Sequence, residues 1–166
     1  ILIGKTFGHL EQSCFFKENF GIIHGMPPEV NLLNEKNNGE SLLKLIEKDL
    51  VLSAHDISSG GLIIALAEMT FSSNFGVKIR KPKKLTNLFK YFFGEDQGRY
   101  VAEIEKENFE KIEKLLKKNN IFYENIGHTQ KNYFEIQGEL KIDIKELFKI
   151  NNQWYNNYDG ITKNRN

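Results

Sequence analysis

Residues 62–71 constrain this chain more than any other segment. Leu62, Ile63, Ile64, Ala65, Leu66, Ala67 and Met69 give a helix that is apolar on most sides. Such a helix has no wide polar face to turn to water, so other elements must enclose it. Gly60 and Gly61 stand directly before it and allow a sharp turn and close packing against a sheet. The pattern predicts a strand over 50–54, a turn over 55–61 and a buried helix over 62–71.

The flanking segments supply what that helix packs on. Residues 1–3 read as a short apolar strand, and 4–28 as a glycine-punctuated loop with a short helix near 12–16. Pro27 and Pro28 suit a helix start. Leu32, Leu33, Leu42, Leu43, Leu45 and Ile46 then recur at helical spacing within 29–48, with Gly39 as a kink or break. Val77 and Ile79 alternate with Lys78 and Arg80, the period of a strand. A short helix is expected over 85–91, a strand over 99–104, and an amphipathic helix over 108–118 with Phe109, Ile112, Leu115 and Leu116 on one face. Strands near 122–126, 133–136 and 141–142 precede a closing helix or pair of turns over 144–158 and a polar tail over 159–166. This alternation predicts an α/β (α+β) fold, one domain over 1–158. The late strands are close enough for a hairpin, so the expected sheet is mixed, with about four to six strands.

Composition excludes several classes. The chain has 23 basic and 22 acidic side chains and a net charge of +1. That balance gives no electrostatic case for nucleic acid or an anionic membrane surface. Cys14 is the single cysteine, which excludes an internal disulfide and a multi-cysteine metal site. Its neighbours Phe15 and Phe16 predict a packed thiol. No apolar run approaches the ~18 residues that span a bilayer, and a reducing cytoplasm is the simplest compartment. Ile1-Leu2-Ile3 reads as a strand already under way with no initiator Met, which gives the expectation of a piece cut from something longer.

Three polar segments carry the candidate chemistry. In 53–61, Asp56, Ser58 or Ser59 can cap the following helix, or the same turn can bind an anion at the helix N-terminus; His55 is either an acid/base or a satisfied structural residue. In 93–99, Glu95, Asp96 and Gln97 lie between glycines. That loop can hold magnesium or hydrogen-bond a sugar or amide, or it is a solvated loop whose acids Arg99 neutralises. In 4–13, Gly4-Lys5-Thr6 superficially suggests a phosphate-binding loop, but the match is not made within this sequence, because the motif's first glycine, five residues before Gly4, would fall ahead of residue 1.

Taken together, these segments resemble one family. Residues 54–62 (AHDISSGGL) with 65–69 (ALAEM), 94–99 (GEDQGR), the 4–13 loop (GKTFGHLEQS) and 27–32 (PPEVNL) resemble, in order and spacing, the second half of phosphoribosylformylglycinamidine synthase. The resemblance extends over roughly residues 1–158. It implies the C-terminal-type domain of the aminoimidazole ribonucleotide synthetase superfamily, from the large subunit of the short form. Three positions depart from the family pattern: Glu11 stands for Gly, Ser59 for Asp and Asp96 for Ser.

The resemblance also carries a function. The family uses ATP and magnesium to phosphorylate the amide oxygen of formylglycinamide ribonucleotide, and ammonia then displaces phosphate to give the amidine. It places the base, the magnesium ligands and most ATP contacts in other domains. This domain is therefore expected to be a cleft wall, inactive alone, with no catalytic and no metal-ligating residue. Ser13, His55, Asp56, Glu95, Asp96 and Gln97 are its candidate substrate or nucleotide contacts. The implied partners are the remainder of the polypeptide, a separate glutaminase subunit and a small bridging subunit. The competing readings are a free-standing nucleotide-binding or interaction module, and a domain of another ATP-dependent superfamily member of the selenophosphate synthetase or hydrogenase maturation type.

Overall fold

The structure is a computed structural model. It describes the backbone of residues 1–71, 75–82 and 87–163, and the side chains of these residues through Gln153, together with Tyr155. In chain order the elements are β1 (Leu2–Ile3), α1 (Cys14–Phe20), α2 (Leu32–Ile46), β2 (Ser53–Asp56), α3 (Gly61–Phe71), β3 (Phe75–Ile79), α4 (Leu88–Phe93), β4 (Tyr100–Glu103), α5 (Phe109–Lys118), β5 (Tyr123–Glu124), β6 (Gly127–Lys131), β7 (Tyr133–Ile136), β8 (Leu140–Asp143) and α6 (Ile144–Lys163). The expected α/β class holds, but the strands divide between two sheets rather than forming one. The residues fall into two compact units, Ile1–Met69 with Lys81–Ile126, and Thr70–Arg80 with Gly127–Asn166.

The first unit holds a four-stranded sheet in the order β2-β4-β1-β5, with every neighbouring pair antiparallel. Alternation along the strands sends Ile3, Tyr100, Ala102 and Tyr123 to one face and Leu2 and Val101 to the other. α2 and α5 cover the first face, where Leu42, Leu45, Ile112 and Leu116 pack with Ile3, Ala102 and Ile121. Gly39 does not break α2. A Cβ there would stand 3.3 Å from the Tyr100 hydroxyl, so glycine lets the helix lie close to the sheet.

The second face is covered by α3 and α4. His55 is in register with Val101, and its Nε2 lies 3.2 Å from Oε2 of Glu68 on α3. Glu124 is in register with Leu2 and accepts a hydrogen bond from the Tyr91 hydroxyl of α4 at 2.9 Å. Burial, reinforced by Glu124, pushes the Tyr91 phenol well above its ordinary range, so it stays a neutral donor. α3 is the enclosed helix that the sequence demands: Leu62, Ala65, Leu66 and Ala67 are buried, and only a strip through Ile64 and Glu68 is exposed. At its start, Gly61 has φ +72°, and a Cβ there would meet the Phe92 carbonyl oxygen at 2.7 Å. Gly61→Ala is expected to destabilise the chain by roughly 2–3 kcal/mol, adding left-handed strain to a backbone clash. A urea denaturation midpoint equal to that of the parent would contradict this account of the turn.

The second unit holds the mixed sheet, in the order β6-β3-β7-β8. β3 pairs parallel with β7 and antiparallel with β6, and β7 forms the expected hairpin with β8. Lys78 and Glu135 face each other in register and pair at 3.0 Å. That ion pair holds the Glu135 carboxyl below its usual range. β6 is absent from the sequence reading because Gly-His-Thr-Gln-Lys has no alternating apolar residue; it is an edge strand recruited by β3.

Several expectations need correction. The first helix begins at Cys14 rather than near residue 12, because Ser13 caps it. Cys14 is exposed rather than packed. Phe15 is half-buried instead, its ring 5.5 Å from that of Phe89 and 4.5 Å from that of Phe93. β2 starts at Ser53, three residues later than the apolar run suggested. The α4 helix begins at Leu88, and the earlier part of its expected span, 85–86, lies outside the described residues. α6 continues to Lys163, so 159–163 are helical rather than tail.

Candidate functional site

The three polar segments meet in the first unit, and the 94–98 loop joins them. That loop leaves α4 at Gly94 and enters β4 after Arg99. Gly98 has φ +65° and lies against Glu35, where a Cβ would come within 2.8 Å of Cγ. The two acids between the glycines point to different places.

Asp96 points inward. It is 4% exposed. Its Oδ2 accepts the N–H of Phe7 at 3.0 Å and of Gly8 at 2.9 Å, and its Oδ1 accepts that of His9 at 3.1 Å. This corrects its expected position on a cleft wall. A buried carboxylate is tolerated only when donors surround it, and here the 4–13 loop supplies them. Arg99, 1% exposed, stands behind, with Nη2 3.7 Å from Oδ2. The guanidinium also donates to Thr6 Oγ1 at 3.0 Å and to the Gly94 carbonyl at 2.5 Å. Burial lowers the Arg99 pKa, with Asp96 opposing the shift, but an arginine retains its charge at neutral pH.

Glu95 is half-buried and its Oε1 bridges two segments. It accepts the N–H of Cys14 at 2.8 Å and that of Gly60 at 2.7 Å. The first turn of α1 and the turn before α3 therefore share one carboxylate. The Glu95 N–H in turn donates to the His9 carbonyl at 2.9 Å. Gln97 is exposed, so it alone of the three is fully presented to solvent.

The remaining candidates separate in role. Ser13 is fully buried; its Oγ accepts from the Phe16 N–H at 3.3 Å and donates to the Leu10 carbonyl at 2.5 Å. It is a helix cap. His55 is held between the Asp56 carbonyl, 2.6 Å from Nδ1, and Glu68. The Asp56 side chain is exposed, opposite Tyr100 in the β2–β4 pair. Glu11 accepts the Met26 N–H at 2.7 Å. Gln12 reaches the Gly25 carbonyl at 2.5 Å, and His9 Nε2 lies 2.9 Å from the Met26 carbonyl. These contacts tie 25–26 to the 9–12 loop. Sequence reading missed Glu11 and Thr6 as anchors, since a long-range bond to a backbone leaves no local pattern.

Both carboxylates of the 94–98 loop are engaged by N–H donors, and no group of three or more His, Cys, Asp or Glu among the described residues is placed to hold a metal. A groove lined by Lys48, Lys111, Lys114 and Lys118 together with Glu107, Glu110 and Leu115 shares no residue with these loops. Among the described residues no helix is long and apolar enough to cross a membrane.

Comparison with known proteins identifies the family. The family model for the AIR synthase related protein C-terminal domain matches residues 1–138. The phosphoribosylformylglycinamidine synthase subunit PurL of Pelagibacter ubique is 44% identical over 158 residues, 95% of this chain but 22% of that protein. Thus the chain spans about a fifth of that relative's length. Among solved structures, PurLQS from Thermotoga maritima superimposes with a TM-score of 0.68 at 16% identity, over 89% of this chain and 25% of that one. The T. maritima PurL complexed with ATP gives 0.66 at 15%, with the same coverage. At that identity the likeness is one of fold.

Proposed function

We propose a role that proceeds from family membership: the chain belongs to the C-terminal domain family of AIR synthase related proteins. It acts as the C-terminal, cleft-wall part of a phosphoribosylformylglycinamidine synthase. The whole enzyme is an ATP-dependent ligase that converts formylglycinamide ribonucleotide and glutamine-derived ammonia to the amidine. In this reading ATP and magnesium are held by the other domains, and the domain alone is inactive.

One observation carries the reading. Asp96, the most deeply placed acid of the loop, is committed to three backbone N–H groups of 7–9. Glu95, Ser13 and Arg99 are likewise engaged inside the fold. A general base needs a free lone pair within reach of substrate; Asp96 and Ser13 are buried, Arg99 is a donor with no lone pair to offer, and Glu95 is held by two N–H groups at Oε1. Gln97, Asp56 and His55 remain as candidates for contact with substrate, nucleotide or a neighbouring domain. Phe7, Met26 and Leu32, 73–75% exposed, with Ile23 and Leu33, present apolar side chains suited to cover by the rest of a longer polypeptide. A separate glutaminase and a small bridging subunit complete the assembly; the PurLQS designation of the T. maritima relative supports this.

The purified chain, given ATP, magnesium, ammonium and formylglycinamide ribonucleotide, is expected to form no amidine and no ADP above background. Turnover that scales with the chain's concentration would overturn the assignment of the chemistry to other domains.

A further inference from the structure

We infer that the backbone of Phe7, Gly8 and His9 forms an oxyanion site whose occupant is the chain's own Asp96, and that Asp96 thereby excludes external phosphate or carboxylate groups from it. Three consecutive N–H groups converge on a single carboxylate at 2.9–3.1 Å. Runs of backbone N–H that curve around a point make anion-binding concavities. The curve here depends on Gly8, whose φ is +78° and whose Cβ would stand 2.6 Å from that of Lys90. Behind the carboxylate is the guanidinium of Arg99, 1% exposed and fixed by Thr6 and Gly94. Converging N–H donors backed by a buried guanidinium are the chemistry that binds the oxygens of a phosphate or carboxylate.

The occupant is internal because residue 96 is aspartate. A neutral side chain such as serine at this place would bring no anion. With Asp96 present, an external oxyanion must displace a tethered carboxylate that already satisfies all three donors. Asp96 is therefore a specificity-determining residue. It closes this loop to anionic ligands and leaves Gln97 as the exposed polar group of the segment. The inference stands whether or not the chain works within a synthase.

The test uses the whole chain and its Asp96→Ser and Asp96→Gly variants. Each is titrated with inorganic phosphate and with formate at constant ionic strength, following the backbone amide resonances of Phe7, Gly8 and His9. Saturable shifts at these three amides are expected in the variants, with binding to the unsubstituted chain at least about tenfold weaker. Equal binding by the unsubstituted chain, or folded variants that respond to neither anion, would overturn the inference. If a variant unfolds in chloride, refolding on addition of phosphate or formate supports it, and failure to refold in both contradicts it. Asp96→Asn, which keeps the shape and removes the charge, gives an independent readout. Hydrogen exchange at the three amides is expected to accelerate, and unchanged protection would show that the carboxylate does not fill the site.

Discussion

Replacing Arg99 with alanine is expected to destabilise the chain by about 3–5 kcal/mol, the range for removing one partner of a buried pair. Against a total stability of about 5–15 kcal/mol for a domain, that loss brings the chain near unfolding. The reason lies in what is left behind. Asp96 would lose its buried cation, while the Thr6 hydroxyl and the Gly94 carbonyl would lose their donor. Lysine should restore only part of the loss, because an ammonium cannot reach these groups with the planar fork of a guanidinium. Urea denaturation measures the effect. A loss below about 1 kcal/mol, the level of an exposed pair, would mean that Arg99 is not the anchor of the loop.

Leu66→Asp is expected to abolish cooperative folding. Leu66 is 3% exposed, in the middle of α3 among Leu62, Ala65 and Ala67. Aspartate there would be a buried charge without donors, a penalty of several kcal/mol added to the lost apolar contacts. Leu66→Ala, by comparison, should lower stability by about 2–4 kcal/mol and leave a folded chain. Circular dichroism during urea titration distinguishes the outcomes. A cooperative transition for Leu66→Asp near that of the parent would refute the enclosed position of the helix.

The enclosed helix was legible because its apolar residues leave no polar face, and burial follows from that alone. The strand at 77–79 and the amphipathic α5 were legible for the same kind of reason, a period matched to an element. β6 was not, because its residues carry no apolar period and its partner is far away in sequence. Nor was the division into two sheets, since alternation states which face a residue occupies but not which strand it pairs with. The site was legible as three loops and not as contacts. Residue types marked 4–13, 53–61 and 94–99 as polar segments, but the sequence does not say that Glu95 bridges Cys14 and Gly60, or that Asp96 turns inward. Those choices follow from which backbone N–H groups the fold leaves unpaired, a property of the assembled structure. Cys14 shows the same limit on a small scale: its apolar neighbours suggested burial, but it is Phe15 that packs, against Phe93, while Cys14 is exposed.

In the role proposed above, this chain is a working part of a synthase whose chemistry lies in other domains. The most direct test places it where its relative has the matching region. In a chimera, the Pelagibacter ubique PurL would carry this chain in place of that region and be assayed with ATP, magnesium, ammonium and formylglycinamide ribonucleotide beside the chain alone. The account predicts amidine and ADP from the chimera and none from the chain. A soluble, folded chimera without turnover, or turnover by the chain alone, would contradict it.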